Sequence, residues 1–106
     1  MMMTGHFQME RAARYAYIVT TIGVGRVIHE YKQEYSKWDD EPCTVSITDT
    51  GVAIVRTHEG VIVTMYILTI TEANRYFNNA VPMVLAAVIR TNMKRGHVSR
   101  QNMGEA

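Results

Sequence analysis

The residues best placed to do chemistry in this chain are cations gathered near its C-terminus. Arg90, Lys94 and Arg95 lie close together, and Arg100 follows with no acid until Glu105. Arginine presents a rigid fork of N–H donors that matches phosphate oxygens. Arg90 and Lys94 stand four residues apart, so on a helix they share a face and repel unless an anion lies between them. Asn78 and Asn92 add amide contacts, and Tyr66, Tyr76 or Phe77 offer rings for stacking on a base. Arg56 and Thr64 sit in strand-like segments, where a side chain on an open sheet face reaches a ligand. Arg11 and Arg14 belong to an N-terminal helix and complete the site if that helix packs beside the end of the C-terminal one. The plain alternative is that the C-terminal cations cap a helix and keep it soluble.

Other reactive groups are scattered. His6, His29, His58 and His97 fall in four different elements, and none has metal-ligand spacing. His58 beside Glu59 reads as a solvated turn residue, and His97 after Gly96 reads as part of a helix cap. Cys43, the single cysteine, has no neighbouring basic pair to lower its pKa and reads as a small buried residue. Asp39-Asp40-Glu41 reads as a solvated acidic loop before a metal site. No phosphate-cradling glycine loop is present. The expectation is therefore a protein without catalytic residues, metal or cofactor. A small RNase using scattered His, Arg and Glu residues is the enzymatic alternative.

Bulk properties narrow the classes. The 106 residues are 47% hydrophobic and 20% charged, with net charge +1. That suits a single folded domain over residues 1–106, with residues 97–106 expected to form a flexible tail. A net charge so close to zero, with no extended basic stripe, argues against a polynucleotide partner. One cysteine excludes an internal disulfide framework and suits a reducing cytoplasm. The N-terminus lacks the apolar stretch of a signal peptide, and the apolar run at residues 80–89 is far short of the roughly 20 residues of a membrane span. The expectation is a cytoplasmic protein with no membrane partner.

The elements that must position these groups follow from periodicity. Residues 5–22 read as a helix ended by Gly23 and Gly25. Residues 25–35 alternate as an edge strand, and residues 38–42 read as a loop. Strands follow at 44–48, 52–57 and 61–68, joined by turns at Asp49-Thr50-Gly51 and His58-Glu59-Gly60. Thr69 with Glu72 fits a capping box opening a long C-terminal helix, and Thr71 is an alternative N-cap. Asn78-Asn79 ahead of Pro82 marks a kink or split, and Gly96 a C-terminal stop. The fold class is α+β: an N-terminal helix, a small antiparallel β-meander, and a long C-terminal helix kinked or split near Pro82.

AVPMVLAAVI is apolar in every helical direction, so the helix it forms is buried on more than one side. The sheet covers one side. At roughly 25 cal/mol per Å2, hiding the other stabilises an assembly by several kcal/mol for a few hundred Å2. A symmetric homo-oligomer formed through this helix is expected, dimeric or larger. The N-terminal helix covering the second side is the alternative.

Two resemblances add to this reading. HFQMERAARYAYIVTTIGVGRVI followed by TVSITDTGVAIVRTHEGVIVTMY resembles the helix–meander layout of RelE and colicin RNase-like folds and their inactive relatives. With the final helix ending in VIRTNMKRGH, residues 5–100 resemble the phage Thoeris anti-defence proteins of the first type. Those are cytoplasmic, helix-mediated oligomers that sequester cyclic ADP-ribose isomers made by TIR enzymes, and some members also hold cyclic oligonucleotides. The resemblance implies a cyclic nucleotide sponge in the host cytoplasm. It implies phosphate contacts from Arg14 and Arg95 with Asn78 nearby, and a base or ribose held at the strand-to-helix edge around Leu68. Leu68 is not the aromatic expected there, so Phe77 or Tyr66 would stack instead. With Arg90 from the basic helix end, these residues make up the expected ligand site. A protein-binding inhibitor of a host enzyme, of the anti-CRISPR kind, is a third class.

Overall fold

The structure, a computed structural model, describes residues 5–34 and 42–98, with backbone alone for residues 5–10. It is an α+β fold built on one antiparallel sheet. Helix α1 (Gly5–Tyr17) runs into a π-helical turn, Ile18–Ile22. Strands β1 (Val27–Gln33), β2 (Cys43–Thr48), β3 (Val52–Thr57) and β4 (Ile62–Ile67) pair in the order β1-β2-β3-β4. Helices α2 (Ile70–Tyr76) and α3 (Met83–Lys94) follow.

Residue alternation along the strands builds two separate cores. Cross-strand partners Ile47, Ala53 and Tyr66 face one side with Val45, Val55 and Leu68. Ala73 and Tyr76 of α2 and Leu85 and Ile89 of α3 cover that side. Ile54, Met65, Val52 and Ile67 face the other side, where Ile18 covers them with help from Tyr15, Tyr17, Ile22 and Val98. The N-terminal helix thus ends over one face of the sheet while α2 and α3 take the opposite face.

Edge strand β1 alternates between exposed and half-buried residues, with His29, Tyr31 and Gln33 turned inward. A bulge between Val27 and His29 and the charged Glu30 and Lys32 blunt this edge against further pairing. At the other edge, Arg11 and Tyr15 of α1 both donate to the carbonyl of Val63. The helix therefore satisfies a carbonyl on β4, an edge strand of the sheet among the described residues.

The C-terminal half holds two helices. Thr69 caps α2 with a full capping box: its Oγ1 accepts from Glu72 N at 3.2 Å, and Glu72 Oε1 accepts from Thr69 N at 2.8 Å. The chain reverses through Asn78 and Asn79, both at positive φ (55° and 66°), a conformation asparagine tolerates better than most residues. Pro82 then stands as the N-cap of α3. Helix α3 buries Leu85, Ala86, Ile89 and Asn92 against the sheet. Its opposite side leaves Met83 88% and Val84 79% exposed, so the N-terminal helix does not cover it.

His97 and Val98, expected at the start of a loose tail, are held in place. Tyr17 Oη lies 2.6 Å from His97 Nδ1, and Val98 packs on the second core. Residues 99–106, including Arg100, lie outside the described part, as do Trp38 and Asp39-Asp40-Glu41. Among the described residues, no helix is long and apolar enough to cross a membrane.

Candidate functional site

A cleft of about 530 Å3 opens where the π-helical turn, the β2–β3 turn and the C-terminal half of α3 meet. Each wall has a local cause. Thr20 Oγ1 donates back to the Ala16 carbonyl at 2.7 Å, a bond that competes with the regular ladder, and the helix widens over Ile18–Ile22. That turn brings Thr21 and Ile22 to the rim, and such turns recur at functional sites.

The floor is the Asp49-Thr50-Gly51 turn. Thr50 Oγ1 shares its one proton between the carbonyls of Gly23 and Val24 at 2.7 and 2.9 Å, and Asp49 Oδ1 accepts from Arg26 N at 2.9 Å. Gly25, at φ 77°, is required there, because a Cβ would collide with Asp49 Oδ1 and lie 2.8 Å from Thr50 Oγ1. Gly51 admits α3 from the other side: Asn92 Nδ2 donates to the Thr50 carbonyl at 3.0 Å, and a Cβ on Gly51 would sit 3.0 Å from that same nitrogen. The remaining wall is α3 itself, apolar at Val84, Ala87 and Val88, then polar at Thr91, Asn92 and Arg95, with His97 beyond.

Arg95 is exposed on this cleft, and among the described residues its guanidinium has no hydrogen-bond or ion-pair partner. Thr91 Oγ1 donates to the Ala87 carbonyl at 3.0 Å, which leaves its lone pairs as acceptors. The cleft thus combines one uncommitted cation, hydroxyl and amide groups, one carboxylate and an apolar wall.

No protein-family model, curated relative or solved structure matches this chain. The geometry of the cleft is set by its own residues.

That geometry separates the residues expected to act together. Arg95 lines this cleft, whereas exposed Arg90 lines a second cavity with Asn74, Asn79 and Met83. Arg14 is buried and donates from Nη2 to Thr64 Oγ1 at 2.7 Å, so it ties α1 to β4. Thr64, only 1% exposed, is likewise inside the fold and does not face an open sheet surface. Leu68 has no exposed surface and belongs to the first core, because the register that places Tyr66 inward also places Leu68 inward. Phe77 is half-buried with one ring face stacked on His29 at 4.1 Å between centroids. Asn78 is exposed in the α2–α3 connection.

The other aromatic and histidine groups are engaged in structure. His29 Nε2 donates to the Tyr76 carbonyl at 2.9 Å, at the end of α2. Tyr66 and Tyr76 share a short hydroxyl–hydroxyl hydrogen bond, and Arg75 Nη2 donates to Tyr76 Oη at 2.9 Å. Burial, reinforced by Tyr76, holds the Tyr66 phenol well above its ordinary range. His58 is exposed beside Glu59 at 3.8 Å. The side chain of His6 lies outside the described residues, among which no cluster of His, Cys, Asp and Glu suits a metal ion.

Sequence reasoning reached Arg95 and Asn92 but missed Thr21, Asp49, Thr50, Thr91 and the cleft role of His97. The Asp-Thr-Gly turn signal was visible, but its partner Asn92 stands 42 residues away, and no local pattern reports that meeting.

Proposed function

We propose that the protein binds a small ribose-phosphate ligand in this cleft and holds it intact, acting as a sponge for a cyclic nucleotide signal. The observation that carries the reading is Arg95, an uncommitted guanidinium at one end of a cleft with an apolar wall at the other. Phosphate oxygens suit Arg95, ribose hydroxyls suit Asp49 and Thr91, and a base suits Ala87 and Val88. Helix α3 ends here, and its dipole opposes an anion by about 0.3–1 kcal/mol. A charge-assisted hydrogen bond contributes about 1.5–3 kcal/mol, so Arg95 outweighs that opposition and recognition depends on it.

The cyclic ADP-ribose isomers implied by the resemblance fit this chemistry. Arg14 and Leu68 have no part in the reading, and Arg95 takes the anion without them. Self-association belongs to the same proposal: Met83 and Val84 at the start of α3 are the apolar surface a second copy would cover.

Native mass spectrometry of the protein mixed with cyclic ADP-ribose isomers and cyclic dinucleotides tests the reading. Retention of one of these, and its recovery intact after heat denaturation, is the expected result. Recovery of a cleaved product dependent on His97 would replace the sponge with an RNase-like activity. Retention of none would remove the ligand class.

A further inference from the structure

The contact between Tyr17 and His97 joins the end of α1 to the turn beyond α3 across 80 residues of sequence. We infer that Tyr17 is a positioning residue: by donating to His97 Nδ1 it leaves Nε2–H as that ring's donor at the rim of the cleft, to act with Arg95 on the ligand's oxyanion. The inference rests on the cleft reading above and names a recognition device within it.

The tautomer follows from the chemistry of the pair. Tyr17 Oη and His97 Nδ1 are 2.6 Å apart, with the rings in an edge-on arrangement at 5.8 Å. A phenol is a better proton donor than a neutral imidazole N–H, and an imidazole nitrogen is a better acceptor than a phenol oxygen. The bond therefore runs from O–H to Nδ1, and the single ring proton resides on Nε2. His97 lines the cleft together with Arg95, so the residue that carries the assigned donor belongs to the same site.

The backbone holds this arrangement from both sides. Gly96, at φ 78°, turns the chain out of α3 with its N–H on the Met93 carbonyl at 3.1 Å, and Val98 anchors the next residue in the second core. Tyr17 is the last residue of α1, directly before the π-helical turn that contributes Thr21 and Ile22 to the cleft. One hydrogen bond thus sets the donor and fixes two walls relative to each other. An imidazole N–H beside a guanidinium gives an oxyanion a second directed donor.

Nitrogen-15 NMR of the full chain in alkaline buffer reads the tautomer directly, and adenosine monophosphate serves as the binding probe. The wild type is expected to show a protonated Nε2 and an unprotonated Nδ1 at His97, with the Nε2 signal moving on titration with the probe. Tyr17→Phe is expected to average the two tautomers and weaken probe binding by about tenfold while thermal unfolding stays cooperative. His97→Gln, which keeps an amide donor, is expected to bind better than His97→Ala. A wild-type His97 protonated on Nδ1, or equal affinity in Tyr17→Phe and wild type, would overturn the positioning role alone. A locked Nε2–H tautomer in a wild type that does not bind the probe would overturn the cleft reading, and the ligand role of the pair with it.

Discussion

Asn92 Nδ2 donates to the Thr50 carbonyl at 3.0 Å, and this bond closes the floor of the cleft against α3. Asn92 is 7% exposed and lies against Gly51, where a Cβ would sit 3.0 Å from its amide nitrogen. Asn92→Ala leaves the carbonyl of half-buried Thr50 without this donor. Stability is expected to fall by about 1–3 kcal/mol, read by urea unfolding. An unchanged midpoint would show that water replaces the amide freely.

The two arginines of α3 separate the cleft from a general basic surface. Arg95→Ala is expected to lower ligand affinity by at least about tenfold, the equivalent of one charge-assisted bond. Arg90→Ala, on the other cavity, is expected to leave it unchanged. Calorimetric titration with the ligand retained in native mass spectrometry distinguishes the two. Equal losses would point to a diffuse cationic field in place of a site.

The capping box of α2 is a local test of fold energetics. Thr69→Ala removes the acceptor of Glu72 N and is expected to cost about 1 kcal/mol, seen as a fall in unfolding temperature. Thr69→Ser, which keeps the hydroxyl, is expected to recover most of it.

Alkaline pH should expose the buried tyrosine pair. The ordinary phenol ionises near 10.0, and burial raises Tyr66 above that in the folded protein. The folded state then binds more protons than the unfolded one above about pH 10, so the slope of stability with pH is negative there. Below that pH the contribution is complete. Unfolding at about pH 9 and about pH 11 is expected to show the loss, and Tyr66→Phe to reduce its steepness. A Tyr66 phenolate absorbing at the ordinary pH in folded protein would contradict this.

Exposed Met83 and Val84 give the self-association proposal a direct test. The pair Met83→Lys and Val84→Glu is expected to shift an oligomer to monomer in sedimentation equilibrium, with the far-ultraviolet spectrum unchanged. A wild type that is already monomeric at micromolar concentration would remove the proposal.

Much of the fold is legible in the chain because its signals are local. Alternation in Thr44 to Thr48 and the two glycine turns define the meander, since a strand has a period of two and a tight reversal needs φ above zero. Thr69 and Glu72 mark a helix start three residues apart, within reach of each other whatever the rest does. The basic end of α3 and the exposed apolar start of the same helix are likewise written in composition.

The site was less legible. Arg14 and Arg95 both stand near the C-terminal end of a helix, yet one is buried on Thr64 and the other open to a cleft. Their local sequences do not differ in a way that separates these outcomes, because burial depends on which strand edge or turn the helix meets. The sequence by itself determined the α+β class, the turns, the caps and the asymmetric character of α3, all set by interactions within a few residues. Only the tertiary structure decided that Thr50, Asn92, Arg95 and His97 share one cleft and that Leu68 lies in the core. Those juxtapositions come from packing α1 and α3 on opposite faces of one sheet, and such long-range contacts have no sequence period to announce them.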